Sequence, residues 1–121
     1  IRVPVRHGEG KFVTTDSTLL DHWAENGQIV VKYVDPNDAY PSSSDQLLEY
    51  PISPNASMRN IAGVCDPTGR VFGLMPHPEA NHSTWLGATW TRELNPTEHG
   101  EGEGLIIFQN AVDFVKERNT F

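Results

Sequence analysis

The segment Ile61-Ala62-Gly63-Val64-Cys65-Asp66-Pro67-Thr68-Gly69-Arg70-Val71-Phe72-Gly73-Leu74-Met75-Pro76-His77-Pro78-Glu79 decides how this chain reads. Two strand-like runs, residues 61–65 and 70–75, flank Asp66-Pro67-Thr68-Gly69. Proline presets φ for a turn and glycine accepts positive φ, so the segment predicts a β-hairpin. The second run delivers a histidine between two prolines, with a carboxylate two residues later. Proline fixes its own φ and drives the preceding residue out of the helical region, so Pro76 and Pro78 are expected to hold His77 extended at the strand exit. In extended backbone, residues i and i+2 project to one side, which places His77 and Glu79 within reach of each other.

An imidazole with an ordinary pKa of about 6.5 takes up and returns a proton near neutrality. A carboxylate beside it holds its tautomer and stabilises its charged form, so the pair reads as half of a catalytic triad without its nucleophile. The same spacing also fits an ordinary histidine and glutamate on a surface loop, and spacing does not choose between the two.

Outward from this segment the elements alternate. Residues 1–5 alternate apolar and polar and predict a strand, followed by the glycine-containing loop His7-Gly8-Glu9-Gly10. Thr15 or Asp16 can cap a helix running through Leu19, Leu20 and Trp23, with Asn26-Gly27 as its stop. Residues 28–34, rich in β-branched side chains, predict the next strand, and Asp35-Pro36-Asn37-Asp38 a turn. Residues 39–53, with Pro41 and three consecutive serines, read as an irregular loop. Residues 80–102 read as a long loop carrying His82, Trp85, Trp90 and His99; a loop of that length in a compact domain is usually functional or disordered. A closing helix is expected from about residue 103 to 118. Its apolar stripe is Leu105, Phe108, Val112 and Val115, widened by Ile107, Ala111 and Phe114, and Lys116 and Arg118 suit its negative C-terminal end. No repeat and no internal domain boundary is visible, and the whole predicts a mixed α/β layer structure.

A length of 121 residues is one domain's worth, and also the size of half of a larger fold. Hydrophobic residues make up 37% and the mean hydropathy is −0.44, somewhat polar for a self-contained α/β unit. Together with the start at Ile1, this leads us to expect a fragment or a processed product. The net charge of −7, from 9 basic and 16 acidic residues, argues against nucleic-acid partners, because phosphate neutralisation needs clustered Lys and Arg. No apolar run approaches the roughly 20 residues that span a bilayer and no leader is recognisable, so the expected setting is the cytosol, with no membrane partner. A single cysteine forms no internal disulfide, in keeping with that setting.

Three segments together carry a family resemblance: Pro4-Val5-Arg6-His7-Gly8-Glu9-Gly10-Lys11-Phe12, the run Asn55-Ala56-Ser57-Met58-Arg59-Asn60-Ile61-Ala62-Gly63, and Gly73-Leu74-Met75-Pro76-His77-Pro78-Glu79. In this order the chain resembles the C-terminal half of the glutaminase components of phosphoribosylformylglycinamidine synthases, which are class I (triad) glutamine amidotransferases. The resemblance runs nearly end to end. It implies that residues 1–121 are the second half of a flavodoxin-like three-layer α/β domain whose nucleophile-bearing N-terminal half is absent here. It implies His77 and Glu79 as catalytic residues, and His7, Gly8 and Glu9 as residues shaping the glutamine pocket. Those last three also suit a tight turn kept for backbone reasons.

The implied chemistry is attack of a cysteine on the glutamine side-chain amide, with ammonia passing to a synthetase that aminates formylglycinamide ribonucleotide. No metal or organic cofactor is implied at the glutaminase, whereas ATP and Mg are implied at the partner synthetase. Two departures stand out. The family's motif usually continues with arginine after the glutamate, where this chain has Ala80. The family's nucleophile sits in a Gly-x-Cys-x-Gly elbow, whereas Cys65 ends a strand with no such setting, so we read it as a small core residue. Asn55, Ser57 and Asn60 could line an ammonia exit or a synthetase contact, but short polar residues there more often satisfy local backbone groups.

Three other classes compete. A metal site could be assembled from His7, His77, Glu79, His82 and His99, although no two histidines have the i, i+4 spacing of a zinc-peptidase helix. A Cys-His hydrolase of the same superfamily would dispense with the synthetase. A non-catalytic module would keep the fold only to dock one.

Overall fold

The computed structural model describes residues 1–38, 45–93 and 100–118. The chain divides into two compact units, His7–Met75 and Ile1–Arg6 together with Pro76–Phe121. Among the described residues no helix is long and apolar enough to cross a membrane.

In the unit His7–Met75, helix α1 (Ser17–Glu25) starts where the Asp16 carboxylate accepts a hydrogen bond from the Thr18 amide at 2.9 Å, satisfying one of the free donors of the first turn. It stops at Asn26, and Gly27 follows at φ +66°. Strands β1 (Ile29–Lys32), β2 (Ile61–Cys65) and β3 (Phe72–Leu74) form an antiparallel sheet in the order β1-β2-β3. The predicted hairpin is β2 and β3, with Gly63 opposite Leu74 and Cys65 opposite Phe72.

Asp66 builds the turn of that hairpin. One of its carboxylate oxygens accepts the Arg70 and Val71 amides at 2.9 Å, and the other accepts the amide and hydroxyl of Thr68 at 3.2 and 2.7 Å. Those bonds, led by the Val71 amide, lower the Asp66 pKa to about 2. Gly69 takes the positive φ of +68° that the turn requires.

Among the described residues of this unit, the buried hydrophobic side chains are Leu20 on α1 and Ile61 and Ala62 at the start of β2. Of the buried polar side chains in this unit, those of Gln28, Ser57 and Asn60 bond backbone groups, whereas the Ser53 hydroxyl has no hydrogen-bond partner among the described residues. The Ser57 hydroxyl accepts the Phe12 amide at 3.0 Å, and Asn60, at φ +58°, accepts the Leu48 amide at 2.9 Å and donates to the Gln46 carbonyl at 2.8 Å. Asn55 donates to the Gly10 carbonyl at 2.9 Å. All three polar side chains of this run therefore bond backbone groups 12 to 45 positions away in the chain, and not only the local ones expected. Residues 45–53 form neither helix nor strand, as expected; the rest of that loop, residues 39–44, lies outside the described residues.

In the other unit, the strand expected over residues 1–5 reduces to one isolated bridge between Val5 and Pro76. Pro4 and Pro76 have no amide to give to a ladder, so the pairing cannot propagate. Over its described residues, 80–93 and 100–102, the long loop expected over residues 80–102 holds short turns; residues 94–99 lie outside the described residues. A 3₁₀ turn at Pro78–Asn81, another at Thr84–Leu86 and the single-turn helix α2 (Trp90–Glu93) follow one another, and a bridge from Ser83 to Glu101 closes the segment on itself. His99 lies outside the described residues. Helix α3 (Leu105–Arg118) ends the unit. Its first turn rests on the Pro78–Asn81 turn, with Leu105 and Ile107 half-buried. Beyond that the stripe is open: Phe108, Val112 and Val115 are 43, 52 and 54% exposed, because no described residue covers that face.

Candidate active site

His77 follows the isolated bridge at Pro76, and its amide donates to the Pro4 carbonyl at 2.7 Å. Its backbone is extended (φ −110°, ψ 85°), as two flanking prolines dictate. Pro78 then opens the 3₁₀ turn, whose first position suits the fixed φ of proline and its missing donor. Glu79 comes next, inside the turn. Its Oε1 lies 2.6 Å from His77 Nδ1. The contact expected from strand alternation is thus present, but a turn makes it.

Hydrogen bonding from the His77 imidazole, and then from the residue's own amide, holds the Glu79 carboxyl below the ordinary carboxylate range; the charge of Arg6 acts in the same direction. An ionised carboxylate only accepts, so His77 Nδ1 carries the proton and Nε2 is left with the lone pair. Both side chains are open to solvent, His77 at 39% and Glu79 at 60% exposure. The pair can take a proton at Nε2 and hold the resulting imidazolium.

The turn is framed by groups that sequence reading missed. Asn81, 7% exposed, donates through its side-chain amide to the Arg2 carbonyl at 2.7 Å. The Arg2 amide in turn donates to a Glu103 carboxylate oxygen at 2.8 Å, and the Gly104 amide to the Asn81 carbonyl at 2.9 Å. Gly102 and Gly104 are glycines for lack of room. A Cβ at residue 102 would stand 2.3 Å from the Asn81 carbonyl oxygen, and one at residue 104 would stand 2.2 Å from that of Pro78. The Glu-Gly-Glu-Gly run just before α3 was the one readable signal of this close approach.

His7, Gly8 and Glu9 belong to the unit His7–Met75. The His7 ring is half-buried, its Nε2 is 3.4 Å from the Tyr33 hydroxyl, and its Nδ1 is buried without a hydrogen-bond partner among the described residues. Burial of that tyrosine raises its pKa. Gly8 and Glu9 are exposed. Gly8 has no positive φ, and a Cβ there would meet nothing within 4 Å. The alternative of a glycine kept for backbone reasons therefore finds no support at Gly8.

Cys65, expected in the core, is only half-buried at the end of β2, because the sheet's apolar burial is confined to the start of that strand. Its Sγ lies 4.0 Å from the Gly27 carbonyl oxygen. It leads into a turn and then β3, not into a helix, so it has no elbow geometry. Among the described residues no three His, Cys, Asp or Glu side chains are grouped to hold a metal ion.

An oriented imidazole and carboxylate on a proline-framed turn in a mixed α/β chain is the kind of proton-transfer pair that amide-hydrolysing enzymes use. The chain belongs to the CobB/CobQ-like glutamine amidotransferase domain family, which its residues 1–115 match. It is similar to the phosphoribosylformylglycinamidine synthase subunit PurQ of several organisms. That of Methanococcus maripaludis is 48% identical over 122 residues, covering 95% of this chain and 43% of the relative. That of Archaeoglobus fulgidus is 38% identical over 120 residues, with 97 and 39% covered. That of Methanothrix thermoacetophila is 32% identical over 120 residues, with 99 and 42% covered. The chain spans about two fifths of the length of these curated relatives.

Proposed function

We propose that this chain is the acid–base half of a glutaminase that releases ammonia from L-glutamine for phosphoribosylformylglycinamidine synthase. The observation that carries the reading is the 2.6 Å contact between His77 and Glu79 in a chain of the glutamine amidotransferase family. Its relatives in Methanococcus maripaludis and Archaeoglobus fulgidus are phosphoribosylformylglycinamidine synthase subunits.

In this reading a cysteine thiol, supplied by a nucleophile-bearing N-terminal half of the domain, gives its proton to His77 Nε2. Its sulfur attacks the side-chain carbonyl carbon of glutamine. The tetrahedral intermediate collapses with cleavage of the carbon–nitrogen bond, His77 returns the proton to nitrogen, and ammonia leaves. Water, activated by the same imidazole, then hydrolyses the thioester to glutamate. Glu79 keeps the proton on Nδ1 throughout and stabilises the imidazolium. His7, Gly8 and Glu9 are the residues we assign to the glutamine side. The ammonia passes to a synthetase that aminates formylglycinamide ribonucleotide with ATP and Mg, in the cytosol, while the glutaminase itself uses no cofactor.

The test joins this chain to a nucleophile-bearing remainder of the domain and measures ammonia release from glutamine. The expected result is hydrolysis that depends on His77 and Glu79, with the 121-residue chain alone inactive. Glutaminase activity of the chain alone that survives Cys65→Ala would sink the assignment of the nucleophile to a missing half. Loss of such activity on Cys65→Ala would make Cys65 the nucleophile.

A further inference from the structure

We propose that Asn81 is a positioning residue for the pair formed by His77 and Glu79, its side-chain amide pinning the turn that carries them to the segment at residues 2–4. The inference rests on the proposed role of that pair. Two carbonyls of the segment hold the two ends of residues 77–81: Pro4 takes the His77 amide and Arg2 takes the Asn81 side chain, both at 2.7 Å. Both ends of the turn are thus held by backbone carbonyls of the same three-residue segment. Glu79 sits between those grips.

The hold closes on itself. The Arg2 amide goes to Glu103, the next residue is Gly104, and the Gly104 amide returns to the Asn81 carbonyl. Asn81 therefore uses its side-chain donor toward one element and its backbone acceptor toward another, 79 residues away and 23 residues away in the chain. Its amide is buried, so removing the donor leaves the Arg2 carbonyl without that bond and lets the turn shift. A shift of the order of 1 Å at Glu79 breaks a 2.6 Å contact. Asparagine is the suitable residue: alanine has no donor, and aspartate would set a carboxylate against a carbonyl oxygen.

The test reads two quantities in the complete glutaminase: the Glu79 carboxyl titration, by carbon NMR, and the split of kcat from KM. Asn81→Ala is expected to raise the Glu79 midpoint toward the ordinary carboxylate value and to lower kcat about 10- to 100-fold with KM little changed, the size seen when groups behind a reactive side chain are removed. Asn81→Gln, which keeps the donor, should recover part of both. Thr84→Ala, which removes the bond from the Gly100 amide in the same unit, should lower the melting temperature without moving either readout.

If Asn81→Ala lowers the melting temperature as Thr84→Ala does but leaves the Glu79 midpoint and kcat in place, the proposal is overturned. Should Asn81→Ala not fold, hydrogen exchange of the Asn81 side-chain amide in the unaltered protein decides: protection is expected, and exchange at the free rate overturns it. The titration arm needs no activity. A protein that fails to hydrolyse glutamine would refute the functional reading while this inference is still being decided.

Discussion

His77 and Glu79 meet at 2.6 Å across a proline-started turn, not along a strand. Their geometry therefore depends on where Pro78 and Asn81 place that turn. In the complete glutaminase, Glu79→Gln is expected to lower kcat by about 10²- to 10⁴-fold, because an amide that donates to Nδ1 favours the wrong tautomer. Imidazole nitrogen NMR should report the proton moving from Nδ1 to Nε2. A wild-type rate with an unchanged tautomer would refute the role.

Gly104→Ala and Gly102→Ala should each cost about 1–3 kcal/mol of stability, since each new Cβ meets a backbone carbonyl oxygen and the chain itself must give. Gly8→Ala is the contrast. No neighbour lies within reach of its Cβ, so denaturant melts are expected to match wild type within about 0.5 kcal/mol. If Gly8 borders the glutamine pocket, KM for glutamine rises all the same; an unchanged KM would remove Gly8 from the site.

The Asp66 turn predicts a pH signature. Its carboxyl titrates at about 2 when folded and about 3.9 when unfolded, so its contribution to stability is present above about 3.9 and is lost as pH falls toward 2. Asp66→Ala should melt at a lower temperature near neutrality, and the gap from wild type should narrow over that acid window. A gap that stays constant there would show that the bonds to Thr68, Arg70 and Val71 do not depress the carboxyl.

Asn60→Ala removes two hydrogen bonds from a buried side chain to the backbone of Gln46 and Leu48 and puts alanine at φ +58°. A loss of about 2–4 kcal/mol is expected from the two lost bonds and the strain together. A chemical melt showing less than about 1 kcal/mol would mean that water replaces the side chain.

Much of the fold was legible because its signals are local. The Asp16 cap, the Asn26-Gly27 stop and the Pro67 and Gly69 hairpin turn each act within a few residues, and α1, β2 and β3 form where those signals put them. The proximity of His77 and Glu79 was legible for the same reason, though spacing suggested a strand and the prolines made a turn. The burial of Cys65 was misjudged, because apolarity states what a side chain favours and not what covers it, and an apolar stripe on α3 likewise does not say what packs on it.

By itself, then, the sequence determined the short-range elements, the pair at the exit of the hairpin and the family. Only the tertiary structure decided what holds that pair: the Arg2 carbonyl at Asn81, the Pro4 carbonyl at His77, and two glycines before α3 against the turn. These contacts join residues as many as 79 positions apart. No local pattern encodes them, because a buried amide's partner is chosen by where the folded backbone brings a free carbonyl within 3 Å.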